Sequence, residues 1–294
     1  MRDLLTFLGS VSGFGEPESI EPLRGLSNRN FAIVVDDEVF VVRLASAHAK
    51  SLGISREAEA EALRLAGEAG IGPDVLHYIL PEGHMIARWL PAQEIGQTPE
   101  TYREPDVLRL IVRTVKRIHG LPDIDHSFDP VDRIRRAFQL VAERDIPLPD
   151  GSGRVLRRLD DIEAERGALR PEHYALCHND LFAGNILGSG PVRVIDWEFA
   201  GMGDIFFDLA TLVVACDESS PLGDEPRSII LDEYFGETSK EDRRRLDDMV
   251  FVVRLHVVAW GITHHVLGTL EQGWEGFTFL GFATDLLEQL TGEL

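Results

Sequence analysis

Residues 178–201 read HNDLFAGNILGSGPVRVIDWEFAG, and no other stretch limits so sharply what the chain can fold into. An apolar run over 173–177 leads into it. Two short β-prone runs follow at 185–187 and 192–195, with Gly188, Gly190 and Pro191 as the turn between them. Residues 178–185 are then a loop with Asp180 and Asn185 at its ends, and Asp196 lies just past a strand end that faces it. A turn role explains any one of these residues, but the three types in this order bring three oxygen-bearing side chains to one pocket. Such ligands suit Mg²⁺ or Mn²⁺, and nothing in the chain has the Cys and His spacing of a zinc site.

Upstream, residues 1–15 read as a short amphipathic helix with Leu4, Leu5 and Leu8 on one side. The β-rich runs 31–35 and 39–44 flank the acidic turn Asp36-Asp37-Glu38, which predicts a hairpin. Residues 24–30 lead into it, and their backbone amides, with the small side chains of Gly25, Ser27 and Asn28, are candidates to cover phosphates. A plain turn is the other reading. Lys50 is the only lysine before position 100 and lies beyond the strand, so the candidate cation is Arg43, on the strand face of Val39 and Val41. SREAEAEALRLAGEAG predicts a helix capped by Ser55 that sets one acid against this cation: Glu59, with Glu57 as the alternate. Two short strands, 75–80 and 84–90, follow across Pro81-Glu82-Gly83, and MIARWLPAQEI reads as the crossing into a larger lobe, where backbone groups can read an adenine edge.

From Asp106 the pattern is helical: 106–118, the neighbourhoods of Phe138 and of 155–169, then 241–267 and 274–292. His119 reads as structural. His178 reads as orienting its loop through a backbone contact, and Asp208 as bracing that loop by accepting backbone hydrogen bonds. Trp197, Trp260 and Trp274 are candidates to stack on a cationic headgroup, with Glu198 supplying charge. A formal net charge of -21 argues against a nucleic-acid or anionic-membrane surface. With only Cys177 and Cys216, no disulfide framework is expected, and no signal peptide or membrane span is read. These features lead to an expectation of a cytoplasmic protein of unknown oligomeric state.

GLSNRNF, VVRL, ISREAE, HNDLFAGNIL and IDWEFAGMGDIFFDLA, in that order, resemble the choline/ethanolamine kinase family within the aminoglycoside phosphotransferase superfamily. The resemblance implies an α+β, two-lobed protein-kinase-like fold: a small β-rich nucleotide-binding lobe over 1–90 and a larger, mainly helical catalytic and acceptor-binding lobe over 91–294. It implies ATP and Mg²⁺ as cofactors and a small cationic alcohol, choline or ethanolamine, as substrate. Carried onto this chain, Asp180 is the catalytic base, Asn185 and Asp196 bind Mg²⁺, and Arg43 with Glu59 clamps the ATP phosphates. Glu198 and the tryptophans face the amino alcohol. The chain departs from the family at Phe199, where relatives often carry Tyr, and in its apolar Ile205, Phe206 and Phe207. Thiamine kinase, an aminoglycoside phosphotransferase and a non-catalytic nucleotide-binding scaffold are the alternatives.

Overall fold

A computed structural model describes residues 1–23, 25, 28–90, 104–166, 169–188, 191–216, 225–269 and 277–294. Strands β1 (Ser19–Leu23), β2 (Arg29–Val35), β3 (Glu38–Leu44), β4 (Val75–Ile79) and β5 (His84–Arg88) form an antiparallel sheet of order β1-β2-β3-β5-β4. Alternation decides its two faces. Phe31, Ile33, Val35, Phe40, Val42 and Leu44 point one way and are buried under Leu4, Phe7 and Leu8 of helix α1 (Arg2–Ser10). Ala32, Val34, Val39 and Val41 point the other way, where Val39 keeps 41% exposure and Arg43 sits opposite Asn30. The sheet thus offers an apolar floor with one cation at its edge. Asp36 and Asp37 turn the hairpin with positive φ (51° and 61°), which short polar side chains tolerate.

Helix α2 (Arg56–Glu68) starts at Ser55, whose side chain accepts from the amide of Ala58. Its apolar face does not join α1. Ala58, Ala62, Leu63, Leu65 and Ala66, with Leu52 and Ile54 before them, belong to the large core of the helical part. We propose 1–90 and 91–294 as the working lobes, with α2 the element whose packing bridges them.

The larger part holds α3 (Pro105–Ile118), α4 (Pro130–Glu143), α5 (Ser152–Arg166), α6 (Ile205–Cys216), α7 (Glu225–Phe235), α8 (Lys240–Leu267) and α9 (Phe279–Gly292). Its short strands are β6 (Tyr174–Cys177), β7 (Ile186–Leu187), β8 (Arg193–Val194) and β9 (Gly201–Asp204), with β6 paired to β9 and β7 to β8. α6 is apolar all round because it is buried all round, which makes it the axis of this part. By length and composition α8 could cross a membrane, but half of its apolar window is buried in the protein, where α8 packs on α4, α6 and α9. The fold is a mixed α+β one, a small antiparallel sheet beside a larger helical part.

Two strands escape the sequence patterns. β1 carries Pro22 on a half-exposed edge and shows no alternation. β9 reads GMGD, which has little β propensity. Its glycines are there for close approach, since a Cβ on Gly201 or Gly203 would come within 3.2 Å of Phe128.

Candidate active site

The loop after β6 is held from behind. Asp208, buried in the first turn of α6, accepts from the amides of His178 (2.8 Å) and Asn179 (2.7 Å), and its Oδ2 lies 3.1 Å from His119 Nε2. This matches the bracing expected of Asp208. His178 Nε2 donates to the Ile195 carbonyl at 3.0 Å, which fixes the tautomer, because a carbonyl only accepts. Asn179 adopts φ +64° and spends its amide on the carbonyls of Phe199 (2.9 Å) and Cys177 (3.3 Å). The loop is thereby tied to both flanking segments.

At its front, Asn185 Nδ2 donates to the carbonyl and to Oδ2 of Asp180, both at 2.8 Å. With its nitrogen committed there, Oδ1 is the oxygen the amide can offer a cation. Burial, with the nearby charge of Glu198, pushes Asp180 up to about 7, against the hydrogen bond from Asn185. Asp196, at φ +63°, is likewise raised well above the carboxylate range by burial and by Glu198, although Arg43 opposes this. Asn179 and Asp196 both take the left-handed conformation, which Asn and Asp side chains tolerate better than other non-glycine residues.

Facing this group is a second, deeper one. Glu59, fully buried, binds the Arg43 guanidinium, accepts from Arg56 Nη1 at 2.6 Å, and takes the Tyr78 hydroxyl at 2.5 Å. Burial acts to raise Glu59, yet Arg43 and Arg56 outweigh it and hold the carboxyl below its ordinary value. Arg43 also donates to the Gly83 carbonyl at 3.1 Å and stands 3.8 Å from Asp196 Oδ1. Arg56 reaches on to Glu198 Oε2 at 3.4 Å, which Asn28 Nδ2 also contacts at 3.0 Å. Glu57, the alternate acid, is exposed.

The structure therefore brings together Asp180, Asn185, Asp196, Arg43, Glu59, Asn28 and Glu198. Gly25 is exposed at the entry to β2, and a Cβ there would lie 2.7 Å from the Asn28 carbonyl. Ser27, Trp274 and residues 91–95 lie outside the described residues. Trp197 corrects the sequence reading. It is fully buried, packs edge-on against His178 with centroids 4.8 Å apart, and donates Nε1 to the Val194 carbonyl, so it supports the loop and cannot stack on a substrate. Glu198 also differs from expectation, since it is buried and engaged by Asn28 and Arg56 on the sheet side. Trp260 is half-buried against His264 and Phe279.

Two arginines escaped the sequence reading. Arg56 looked like one charge among many on an amphipathic helix. Arg133 of α4 lies over the rings of Phe128 (4.6 Å) and Phe199 (5.1 Å) and donates to the carbonyls of Leu52 and Gly53 at 2.7 and 2.6 Å, tying the segment before α2 to the helical part. Its neighbour His256 is lowered to about 3 by burial, with Arg133 adding to the effect. A histidine whose folded pKa lies below its unfolded value contributes stability that is present above the unfolded pKa and lost as pH falls. His256→Phe, which keeps the aromatic contacts, is therefore expected to flatten the loss of stability between about pH 6 and 4, by up to ~1.4 kcal/mol per pH unit. Denaturant titrations at three pH values measure this, and equal slopes for the two proteins would refute it.

Residues 19–248 match the phosphotransferase enzyme family, and the chain belongs to that family. Protein LicA of Haemophilus influenzae is 27% identical over 224 residues, covering 74% of this chain and 62% of that protein. Ethanolamine kinase 2 of Rattus norvegicus is 26% identical over 211 residues, covering 66% of this chain and 53% of that protein. The match spans under two thirds of either relative's length. The crystal structure of a choline/ethanolamine kinase family protein from Mesorhizobium loti superposes with a TM-score of 0.76 at 22% identity, covering 98% of this chain and 94% of that one, so the fold is shared.

Proposed function

We propose that the chain transfers the γ-phosphoryl group of ATP, with Mg²⁺, to the hydroxyl of a small amino alcohol, choline or ethanolamine. The observation that carries this reading is the meeting of two groups: Asp180, Asn185 and Asp196 on the loop and hairpin after β6, and Arg43 of β3 with Glu59 and Arg56 of α2, Arg43 standing 3.8 Å from Asp196. Asp180 takes the hydroxyl proton, and its raised pKa suits a base working near neutrality. Arg43, fixed by Glu59, meets the phosphates. Arg43 Nε and Arg56 Nε and Nη2 are buried without hydrogen-bond partners among the described residues. The half-open apolar floor of Ala32, Val34, Val39 and Val41 fits the flat face of a base.

The donor set also fits the metal. The available ligands are hard oxygens, the carboxylate of Asp196 and the amide oxygen of Asn185. Asn185 Oδ1 and Asp196 would hold the ion, whose chemistry is to neutralise charge on the phosphates. The two cysteines are buried thiols, which fits a reducing compartment such as the cytoplasm.

The acceptor is the finer part of the proposal, and the kinship to ethanolamine kinase 2 supports it. Mg²⁺-dependent ADP release should be measured against choline, ethanolamine, thiamine and kanamycin. Turnover with choline or ethanolamine alone is the expected result. Turnover confined to thiamine or kanamycin would overturn the acceptor, and no nucleotide turnover with any alcohol, despite nucleotide binding, would favour a scaffold.

A further inference from the structure

α3 turns one stripe toward α7: Arg113, Lys116 and, just past its last turn, His119. Arg113 Nε donates to Glu233 Oε1 at 2.7 Å, and Lys116 Nζ donates to the Tyr234 carbonyl at 2.7 Å. Lys116 Nζ also stands 5.6 Å from the centre of the Tyr234 ring. Tyr234 packs edge-on against Phe235, which stacks on Phe206 of α6. The last turn of α7 is thus held from two sides. The Tyr234 hydroxyl lies 2.8 Å from Nδ1 of His119, whose side chain is only 3% exposed.

The hydrogens along this contact can be placed from the far end. Asp208 is fully buried and binds no arginine or lysine among the described residues. Its oxygens accept from the amides of His178 and Asn179, and His119 Nε2 supplies a third hydrogen bond at 3.1 Å. A carboxylate only accepts, so Nε2 carries a hydrogen. In the neutral ring Nδ1 is then an acceptor, and it takes the hydrogen of the Tyr234 hydroxyl, which burial pushes up so that it stays protonated. The donors therefore run one way, from Tyr234 through His119 to Asp208, and Asp208 holds the two residues just before Asp180. Packing alone asks only for a ring at position 119. It does not ask for a donor on Asp208 and an acceptor on Tyr234, and a buried carboxylate that loses a donor has no water to replace it.

We propose that His119 is a positioning residue for phosphoryl transfer, and that the Tyr234 hydroxyl fixes its ring so that Nε2–H stays on Asp208 and the loop keeps Asp180 in place. The inference rests on Asp180 as the base in the reading above and deepens it. His119 and Tyr234 act through Asp208 on the loop, and their hydrogen bonds do not reach Arg43 or Glu59. Loss of either should therefore act on kcat and leave KM for ATP unchanged. Because the two side chains form one chain, their effects on kcat should not add.

The test on the full chain has two readouts: kcat and KM for ATP from ADP release with Mg²⁺ and ethanolamine or choline, and amide hydrogen exchange of the peptide spanning 178–185. His119→Phe keeps a ring and removes both nitrogens. Its kcat should fall about tenfold to a hundredfold at unchanged KM for ATP, and the peptide should exchange about tenfold faster. His119→Gln returns a donor toward Asp208 and should recover most of the rate. Tyr234→Phe should cost about threefold to tenfold in kcat, and nothing further when added to His119→Phe. It removes a single oxygen, so it carries the test if His119→Phe folds poorly. A wild-type kcat in His119→Phe, or in Tyr234→Phe where the first does not fold, would overturn the positioning role and leave the kinase reading standing. A fall that His119→Gln shares in full, or unchanged exchange, would do the same. Absence of wild-type turnover with both alcohols would overturn the acceptor, and the exchange comparison, which needs no substrate, would still decide the positioning.

Discussion

Asp180→Asn is expected to lower kcat by about 10² to 10⁴ while leaving the fold intact, the range over which a positioned general base contributes. The two effects separate because of what surrounds the carboxylate. Asn185 contributes one hydrogen bond to the Asp180 carbonyl and one to its side-chain oxygen, and an amide oxygen at that position still accepts the second. The neighbouring charge of Glu198, which helps push Asp180 up, no longer meets a like charge once the side chain is neutral. The variant should therefore unfold at the wild-type temperature or slightly above it at pH 8, where the wild-type group is ionised. Single-turnover rates with saturating nucleotide, together with thermal unfolding at pH 8, measure both parts. Near-full turnover would remove Asp180 as the base; lost turnover with a large fall in thermal stability would show only a damaged loop.

The centre of the site was readable from the chain because its chemistry is local. Asp180, Asn185 and Asp196 lie within one loop and one hairpin, so their order and spacing are visible in one short stretch, although Asp208 holds the loop from 30 positions away. The pairing of Arg43 with Glu59 was readable for a different reason: a buried strand cation needs a counter-charge, and the next helix offers few acids on its inner face. Arg56 was not readable, because its burial depends on Glu198, 142 positions away, and on its own helix it resembles a solvated charge. Trp197 failed for the opposite reason. Its type suggests a ligand, but the two carboxylates on either side take the cleft, and the ring between them goes into the core beneath His178. Arg133 joins segments 80 positions apart through backbone carbonyls, which leave no mark in the residue types they come from.

Glu59→Gln is expected to be the most destabilising single change in the cleft, costing about 3–5 kcal/mol, because it leaves two buried guanidiniums facing each other with their shared counter-charge gone. Arg43 and Arg56 are each only 5% exposed at the side chain, so water cannot make good the loss. Tyr78 loses a charged acceptor at the same time. The same substitution at Glu57, exposed on the same helical turn, should change stability by no more than about 0.5 kcal/mol and serves as the control. Denaturant unfolding gives both values. A cost for Glu59→Gln below about 1 kcal/mol would mean that the acid does not bind the two arginines as drawn. Adding Arg56→Met to Glu59→Gln separates the two debts. With one cation removed, part of the stability should return, and the size of that return measures the coupling between Glu59 and Arg56. Nucleotide affinity need not follow stability. Arg43 keeps its charge in both variants but loses the contact that aims it, so KM for ATP should stay raised in the double variant even where the fold has recovered. That divergence would assign Glu59 to aiming Arg43 at the phosphates, and Arg56 to balancing the charge that Glu59 and Glu198 bring into the cleft.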